Sequence, residues 1–287
     1  MNPILNNQND PGHISLLKAS SIAYTKAKRW EVFNTYFHIF LALAYPISFV
    51  IIQQDNVKIG LFGCSFLLAL LMLLIAASLK GNTARGAIIK EEFDIKLFGL
   101  RWKSTLKRPV SDDIIKLSMQ YRGKEIINWY SPNLSEKIPH NNAVAILQHT
   151  NTSWDIQLRE KFKNLIIFLL ILYSILLILF VELMNADNIT KFYTAFALLS
   201  SYNYFITLIR GHASAIKKRK VISEHLDEII QNKQDISPED LRDIQDEIYN
   251  TRQESAKVPN FYFRKHKKKM EAISEAYIET INKLYNK

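Results

Sequence analysis

Four apolar stretches, arranged as two pairs around a polar middle, constrain this chain more than any other feature. The two most apolar cover residues 59–79 and 165–183; the first has no charged residue and the second only Glu182, beside its end. Each can cross a hydrocarbon layer about 30 Å thick at about 1.5 Å per helical residue. Residues 32–52 and 189–209 are their more polar partners. The pattern predicts an all-α membrane protein with four transmembrane helices in two hairpins.

Averages over the whole chain hide this pattern, because long polar segments dilute the apolar ones. Charged residues make up 22% of the 287 residues, as in a globular protein. Residues 1–21 are polar and no small-residue cleavage site follows the first apolar stretch, so the N-terminus does not resemble a secretory signal. The one cysteine, Cys64, lies within the second stretch, which excludes a disulfide within the chain and a cysteine-based metal site.

Basic residues flank the apolar stretches on one side only. They precede the first and third stretches and follow the second and fourth, whereas the short loops at 53–58 and 182–191 carry few bases. Because positively charged flanks stay in the cytoplasm, we expect both termini and the middle region there. The flanking bases are Lys18, Lys26, Lys28, Arg29, Lys80, Arg85, Arg159, Lys161, Lys163, Arg210, Lys217, Lys218, Arg219 and Lys220.

This topology divides the chain into five segments. A cytoplasmic N-terminal segment (1–29) is followed by the first transmembrane hairpin (30–80), a mainly helical cytoplasmic middle region (81–163), the second hairpin (164–210) and a helical cytoplasmic tail (211–287). The formal charge of +10 is concentrated in the N-terminal segment and the middle region. There it can meet anionic lipid headgroups or an anionic ligand.

Local signals predict the helices of the middle region. Residues 81–100 can extend the second transmembrane helix, and Ser111 is expected to cap a short helix. A further helix over 141–149 is expected to end there. Residues 151–153 (Asn-Thr-Ser) are then expected to cap a new helix that begins near Trp154 and enters the third apolar stretch.

The tail is predicted to contain two further helices. The fourth transmembrane helix is expected to continue to about Lys233. Ser237 and Pro238 are a favourable helix start, because a capping serine is followed by proline and acidic residues. A final amphipathic helix is expected over 262–285.

The chain carries no recognisable catalytic or metal-binding motif. A glycine-rich phosphate loop, HExxH, GxSxG and paired Cys/His spacings are all missing from the sequence. His140, His149 and Asp155 share one stretch, but such a trio arises easily by chance. We therefore expect no enzyme activity, no cofactor and no bound metal.

Polar side chains within the first and fourth apolar stretches recur on one helical face each. Such groups avoid lipid and turn toward other helices or a water-filled cavity. Two interpretations stay open: hydrogen bonding between packed helices, or the lining of a pore that opens on activation. The residues are Asn34 and His38 on the first stretch and Tyr193, Ser200, Asn203 and Thr207 on the fourth.

Bases and aromatic residues alternate in the middle region. Guanidinium and ammonium groups suit phosphates and aromatic rings suit stacked bases, so this combination fits a nucleotide ligand. Alternatively, the aromatic residues anchor at the membrane interface while the bases contact lipid headgroups. The candidate ligand contacts are Arg101, Trp102, Arg122, Lys124, Trp154 and Arg159. Asp94 and Asp155 are expected instead to pair with neighbouring bases or to cap helices. The basic run at 264–269 is interpreted as a solvated or headgroup-binding face.

Several short motifs, in a fixed order relative to the apolar stretches, resemble a known family. They are Lys26-Ala-Lys-Arg-Trp30, Glu92-Phe-Asp94, Leu97-Phe-Gly-Leu-Arg-Trp102, Asn128-Trp-Tyr130, Gln148-His-Thr-Asn-Thr-Ser-Trp-Asp155, Thr251-Arg252 and Val258-Pro259-Asn260. With the two pairs of apolar stretches, they are similar to the SMODS-associating four-transmembrane effector family of bacterial defence operons. His149 stands where related sequences tend to have a basic residue.

The resemblance implies an inner-membrane effector in anti-phage signalling. In such operons a nucleotidyltransferase makes a cyclic oligonucleotide, and the effector senses it and compromises the membrane. A homo-oligomer in contact with membrane lipids is expected, and binding of DNA or RNA is not. Two alternatives stay open: a constitutive channel or transporter without nucleotide control, and a membrane scaffold whose tail recruits a partner.

Overall fold

Helices are the only regular elements of the residues that the computed structural model describes, which confirms the all-α prediction. The structure describes residues 2–52, 54–254 and 256–286, with side chains at all of these except 55, 69 and 72–80. A short 3-10 turn at Pro3–Leu5 precedes the α-helices. These are α1 (Pro11–Ile51), α2 (Asp55–Phe98), α3 (Ser111–Ser118), α4 (His140–Leu183), α5 (Asn188–Gln231), α6 (Pro238–Glu254) and α7 (Asn260–Tyr285).

Three of the helices, α1, α4 and α5, are long and apolar enough to cross a membrane. In α2 the described apolar stretch is Asn56–Leu68, which is shorter. The side chains of 72–79 in the second predicted span, and residue 53 in the first predicted turn, lie outside the described residues. The chain is a membrane protein on this pattern, and the fourth span stays a prediction.

The apolar parts of these helices form what we call the apolar bundle (32–52, 59–79, 165–183 and 189–209). Its inner contacts include a small cluster built on Tyr45, Phe49 and Ala197. Its outer surface exposes many large hydrophobic side chains, among them Phe40, Leu169, Ile178 and Phe192. A continuous apolar surface of this kind is typical of contact with lipid.

The opposite ends of the long helices pack with α3, α6 and α7 around one hydrophobic core, here called the distal module. Its buried side chains include Leu17 from α1, Phe93 from α2, Ile146 from α4, Leu226 from α5 and Ile281 from α7. The three polar segments expected from the sequence therefore share a single core.

The N-terminal residues belong to this core as well. Leu5 is completely buried. The Asn2 side-chain amide donates to the backbone oxygens of Ser135 and Ile138, at 2.8 and 3.0 Å. The first residues are thus fastened to the irregular segment before α4.

One predicted break is wrong, because α4 runs unbroken from the distal module into the apolar bundle. Residues 151–153 lie inside it and do not cap a helix that starts at Trp154. The hydroxyl of Thr152 donates instead to the backbone oxygen of Gln148, at 2.8 Å. Small hydroxyl side chains can bond back to the preceding turn within a helix, and Thr152 is buried among neighbouring helices that hold it there.

Other helix starts differ less from the prediction. Val110 is the N-cap of α3, and Ser111 is its first helical residue. The α6 start is confirmed, since the backbone N–H of Asp240 donates to the Ser237 hydroxyl at 3.1 Å. The predicted ends of α5 and α7 agree with the structure to within about two residues.

Close contact between α1 and α2 at Gly86 gives a first testable prediction. A Cβ atom there would lie 2.9 Å from ring carbon Cδ1 of Tyr24. We expect Gly86→Ala to destabilise the protein by about 1–3 kcal/mol, because overpacking forces the ring to move. Thermal unfolding of the detergent-purified protein measures the change. Gly81→Ala, in the same helix with nothing within 4 Å, is the control and is expected to gain up to about 1 kcal/mol. Equal effects of both variants would contradict the packing.

Candidate functional site

The centre of the distal module contains buried charges from α2 and α6. Glu91 and Asp94 are completely buried. Arg242 Nη2 lies 2.6 Å from Glu91 Oε1, and Arg252 Nη1 lies 2.7 Å from Asp94 Oδ2. Lys90 Nζ also reaches Asp94 Oδ1, at 3.0 Å. We call these five residues the distal cluster.

Neutral side chains complete the hydrogen bonding of the distal cluster. The Tyr130 hydroxyl donates to Asp94 Oδ1 at 3.0 Å, and Gln245 Nε2 donates to Glu91 Oε2 at 2.7 Å. Gln148 on α4 donates to the Gln245 side-chain oxygen at 3.1 Å. The cluster therefore ties together α2, α4, α6 and the segment before α4.

Burial and neighbouring charges act in opposite directions on the carboxyl groups. Burial alone raises the pKa of Asp94, but Lys90 and Arg252 outweigh it and hold the pKa below its usual value. Burial raises the pKa of Glu91, although Arg252 and Arg242 oppose the shift. Burial also lowers the pKa of Lys90 to about 8. Asp94 is thus the carboxylate whose negative charge balances the positive charges of Lys90 and Arg252.

A second group of charges lies where α4 and α5 leave the apolar bundle. Asp155 Oδ2 is 2.6 Å from Arg159 Nε on the same helix and 2.7 Å from Arg219 Nε on α5. Arg159 also donates to the backbone oxygen of Ala256 in the α6–α7 connection. Arg159 and Arg219 hold the pKa of Asp155 well below its usual value, although burial alone would raise it. One carboxylate therefore joins two membrane helices.

The α6–α7 connection is also hydrogen-bonded to α1, beside the start of the first apolar stretch. The backbone N–H of Lys257 donates to both carboxylate oxygens of Glu31, at 2.9 and 3.1 Å. Glu31 immediately precedes the first apolar stretch. Burial raises the pKa of Glu31 to about 7 and lowers that of Lys257 to about 7. Glu31, Asp155, Arg159, Arg219 and Lys257 form what we call the border cluster.

Hydrogen bonds to backbone oxygens link the two clusters, and we call the linked set the charge network. Lys257 Nζ donates to the backbone oxygen of Arg252 at 3.0 Å, and Arg219 Nη2 approaches the Thr251 oxygen at 3.4 Å. Thr251, Arg252 and Lys257 therefore connect the buried centre of the distal module with the entry points of α1, α4 and α5. This connection could transmit a change in the module to the bundle.

The predicted ligand residues of the middle region lie in two loops. Arg101 is exposed, and Trp102 is half-buried, with Nε1 donating to the Leu106 oxygen at 2.8 Å. Arg122 and Lys124 are exposed in the loop after α3. In the part of the chain that the structure describes, no hydrogen bond, ion pair or ring contact joins these two pairs, and their role in ligand binding stays a prediction.

The other two predicted ligand residues are packed between helices at the border of the apolar bundle. Trp154 is half-buried against Phe263, with ring centroids 5.0 Å apart. Arg159 is buried and forms an ion pair with Asp155. The expected pairing of Asp94 and Asp155 with bases is confirmed.

Polar residues of the apolar bundle fall into two groups. His38 stacks on Tyr204 with centroids 4.3 Å apart, and its Nδ1 lies 3.4 Å from the Ser201 hydroxyl. Asn34, Tyr193 and Ser200 are half-buried, whereas Asn203 and Thr207 are exposed. Ser201, which faces His38, and Tyr204 were not among the predicted polar residues.

Much of the charge network was not predicted from the sequence, namely Lys90, Glu91, Arg242, Glu31 and Lys257. One signal was available. Lys90 and Glu91 follow Ile88 and Ile89 directly and precede Phe93, and charges among apolar residues of a helix are seldom buried unless they are paired.

A serine, a histidine and an aspartate meet between α4 and α5, but not as a catalytic triad. Both the Ser153 hydroxyl and Asp227 Oδ1 lie 3.0 Å from His149 Nε2. A triad needs the carboxylate on one ring nitrogen and the nucleophile on the other. Among the described residues no group of three or more His, Cys, Asp or Glu side chains could hold a metal ion.

Comparison with known proteins gives two matches. The chain matches the family described as SMODS-associating 4TM effector domain over residues 2–281. It is similar to a protein of Bacillus cereus (strain VD146) described as a probable CBASS effector molecule, with 31% identity over 186 residues. The aligned part is 62% of each chain, so it spans less than two thirds of that relative. No solved structure matches the chain.

Proposed function

Because the chain belongs to the family of SMODS-associating 4TM effector domains, we propose that it is a membrane effector of bacterial anti-phage defence. In this proposal four helices cross the inner membrane as two hairpins, and the distal module and both termini face the cytoplasm. The three apolar helices and the one-sided distribution of flanking bases support this placement.

The proposed signal is a cyclic oligonucleotide from a partner nucleotidyltransferase. Similarity to a probable CBASS effector molecule supports this assignment. The bases Arg101, Arg122 and Lys124 are exposed and suit phosphate contacts, although Arg122 Nη1 also donates to the Met119 oxygen. Arg108 lies over the ring of Trp102, with its guanidinium carbon 5.0 Å from the ring centroid, so a nucleobase would stack there only after displacing it. The buried Arg159 would act indirectly, through Asp155.

One observation carries the proposal: the charge network extends from a candidate ligand loop to the membrane helices. Lys103, next to Trp102, lies 2.7 Å from Asp246 on α6, which also pairs with Arg242 of the distal cluster. The network ends at Glu31, beside the first apolar stretch. A ligand that binds another arrangement of the loop more tightly would shift the equilibrium of the bundle toward that arrangement. The free energy of this shift cannot exceed the difference between the ligand's binding free energies for the two arrangements.

The proposed response is a membrane leak formed by several copies, without chemistry by the protein itself. The resting state holds the bundle closed through the border cluster, and the ligand releases this hold. The unsuitable geometry at His149 supports a role other than catalysis.

Dye release from liposomes tests the proposal. The purified protein is reconstituted in liposomes of inner-membrane lipids, and cyclic di- and trinucleotides are added to the face that exposes the distal module. We expect release with one nucleotide only, and loss of this release in Arg101→Glu but not in the control Lys265→Glu, which is also exposed. Release without any nucleotide would indicate a constitutive channel, and no release with any of them would favour a scaffold.

A further inference from the structure

The outward face of α5 carries a regular stripe of exposed residues. Leu199, Asn203, Ile206 and Arg210 follow one another at spacings of four, three and four, and all are exposed. Leu199 and Ile206 expose 56% and 38% of their surfaces. This spacing is typical of the seam along which two helices pack side by side. We call these four residues the α5 stripe.

Asn203 is a polar residue on a surface that is expected to face lipid. Along the helix it lies about 10 Å from Arg210, the first charged residue after the apolar stretch. Its side chain is too short to reach the interface, unlike that of lysine or arginine. No hydrogen bond joins its amide to another residue in the described part of the chain, and a carboxamide left unpaired in hydrocarbon is costly.

A carboxamide carries both a donor and an acceptor, so it can pair with a copy of itself. Around a twofold axis each Asn203 would donate to the oxygen of the other, and both groups would be satisfied. Leu199 and Ile206 would pack on either side of this pair. We propose that α5 of one chain pairs with α5 of a second copy through the α5 stripe. The inference rests on the proposed membrane insertion but not on the proposed messenger.

Disulfide formation in native membranes tests the pairing. Cys64 is first replaced by serine, and single cysteines are introduced as Leu199→Cys or Ile206→Cys. Ile175→Cys and Leu179→Cys on α4, which are about equally exposed at 51% and 53%, are the matched controls. Under mild oxidation and without nucleotide, the stripe variants are expected to form covalent dimers about tenfold faster than the controls. Equal rates, or linkage to a different protein, would overturn the proposal.

Two substitutions of Asn203 test the amide itself. Asn203→Leu is expected to weaken dimerisation about tenfold, measured by energy transfer between labelled chains in liposomes, because an interhelical hydrogen bond is lost. Asn203→Gln keeps the amide and is expected to stay within about threefold of the original chain. Unchanged dimerisation of Asn203→Leu would overturn the proposal. Dimers without nucleotide-triggered dye release would leave the pairing intact and count against the proposed function alone.

Discussion

Asp94→Asn is expected to destabilise the distal module by about 3–5 kcal/mol, because it leaves the buried charges of Lys90 and Arg252 without their shared anion. Asp94 is completely buried and touches both bases and the Tyr130 hydroxyl. The shape of the side chain is kept, so the effect reports the lost charge together with the replacement of one acceptor oxygen by an NH2 donor. In thermal unfolding of the detergent-purified protein we expect Tm to fall by about 10 °C.

Asp243→Asn is the control for this experiment. Asp243 is exposed on α6, the helix that also carries Arg252. The same chemical change there is expected to alter stability by no more than about 0.5 kcal/mol. If both variants melt at the temperature of the unchanged protein, the distal cluster is not a stabilising element.

The second large effect concerns Asp155, which pairs with Arg159 on its own helix and joins α4 to α5 through Arg219. Asp155→Asn would leave two neighbouring guanidinium groups to repel each other. About a quarter of its side chain is exposed. We therefore expect the free energy of unfolding to fall by about 3 kcal/mol, the lower end of the range for breaking a buried ion pair. If this loss destabilises the resting arrangement and not the open one, the population of the open arrangement rises about 100-fold. Dye release without nucleotide measures this rise.

Two further variants distinguish opening of the bundle from unfolding of the protein. Glu160→Gln, also on α4, removes the partly exposed pair with Lys220 and is expected to change the leak less than about fivefold. Asp155→Glu keeps the charge and is expected to restore the low resting leak. A folded Asp155→Asn protein that leaks no more than the unchanged protein would show that the border cluster does not hold the bundle closed.

Much of the fold could be predicted because the helix signals are local. The long apolar stretches, the capping serine Ser237 and the amphipathic pattern of α7 each lie within a few turns of one helix. The break expected before Trp154 failed for a physical reason. A hydroxyl such as that of Thr152 serves equally as a cap or as a donor to its own helix, and only the surrounding packing decides between these roles.

The charge network could not be predicted in the same way, because its partners are far apart in the sequence. Glu91 meets Arg242, and Glu31 meets the backbone of Lys257, more than 150 residues later. Charge and apolar context indicate that Asp94 and Asp155 need partners, but they do not say which bases supply them. That choice depends on how α6 and its connection to α7 pack against the long helices.

The unbroken course of α4 has a mechanical consequence. Its 44 residues contain neither proline nor glycine, so the helix is a stiff rod about 66 Å long, without the residues at which helices usually kink. A tilt of about 5° at its end in the distal module would displace the opposite end by about 6 Å. A rearrangement that tilts α4 within the distal module would therefore be amplified along the helix by leverage alone, with no hinge and no local unfolding.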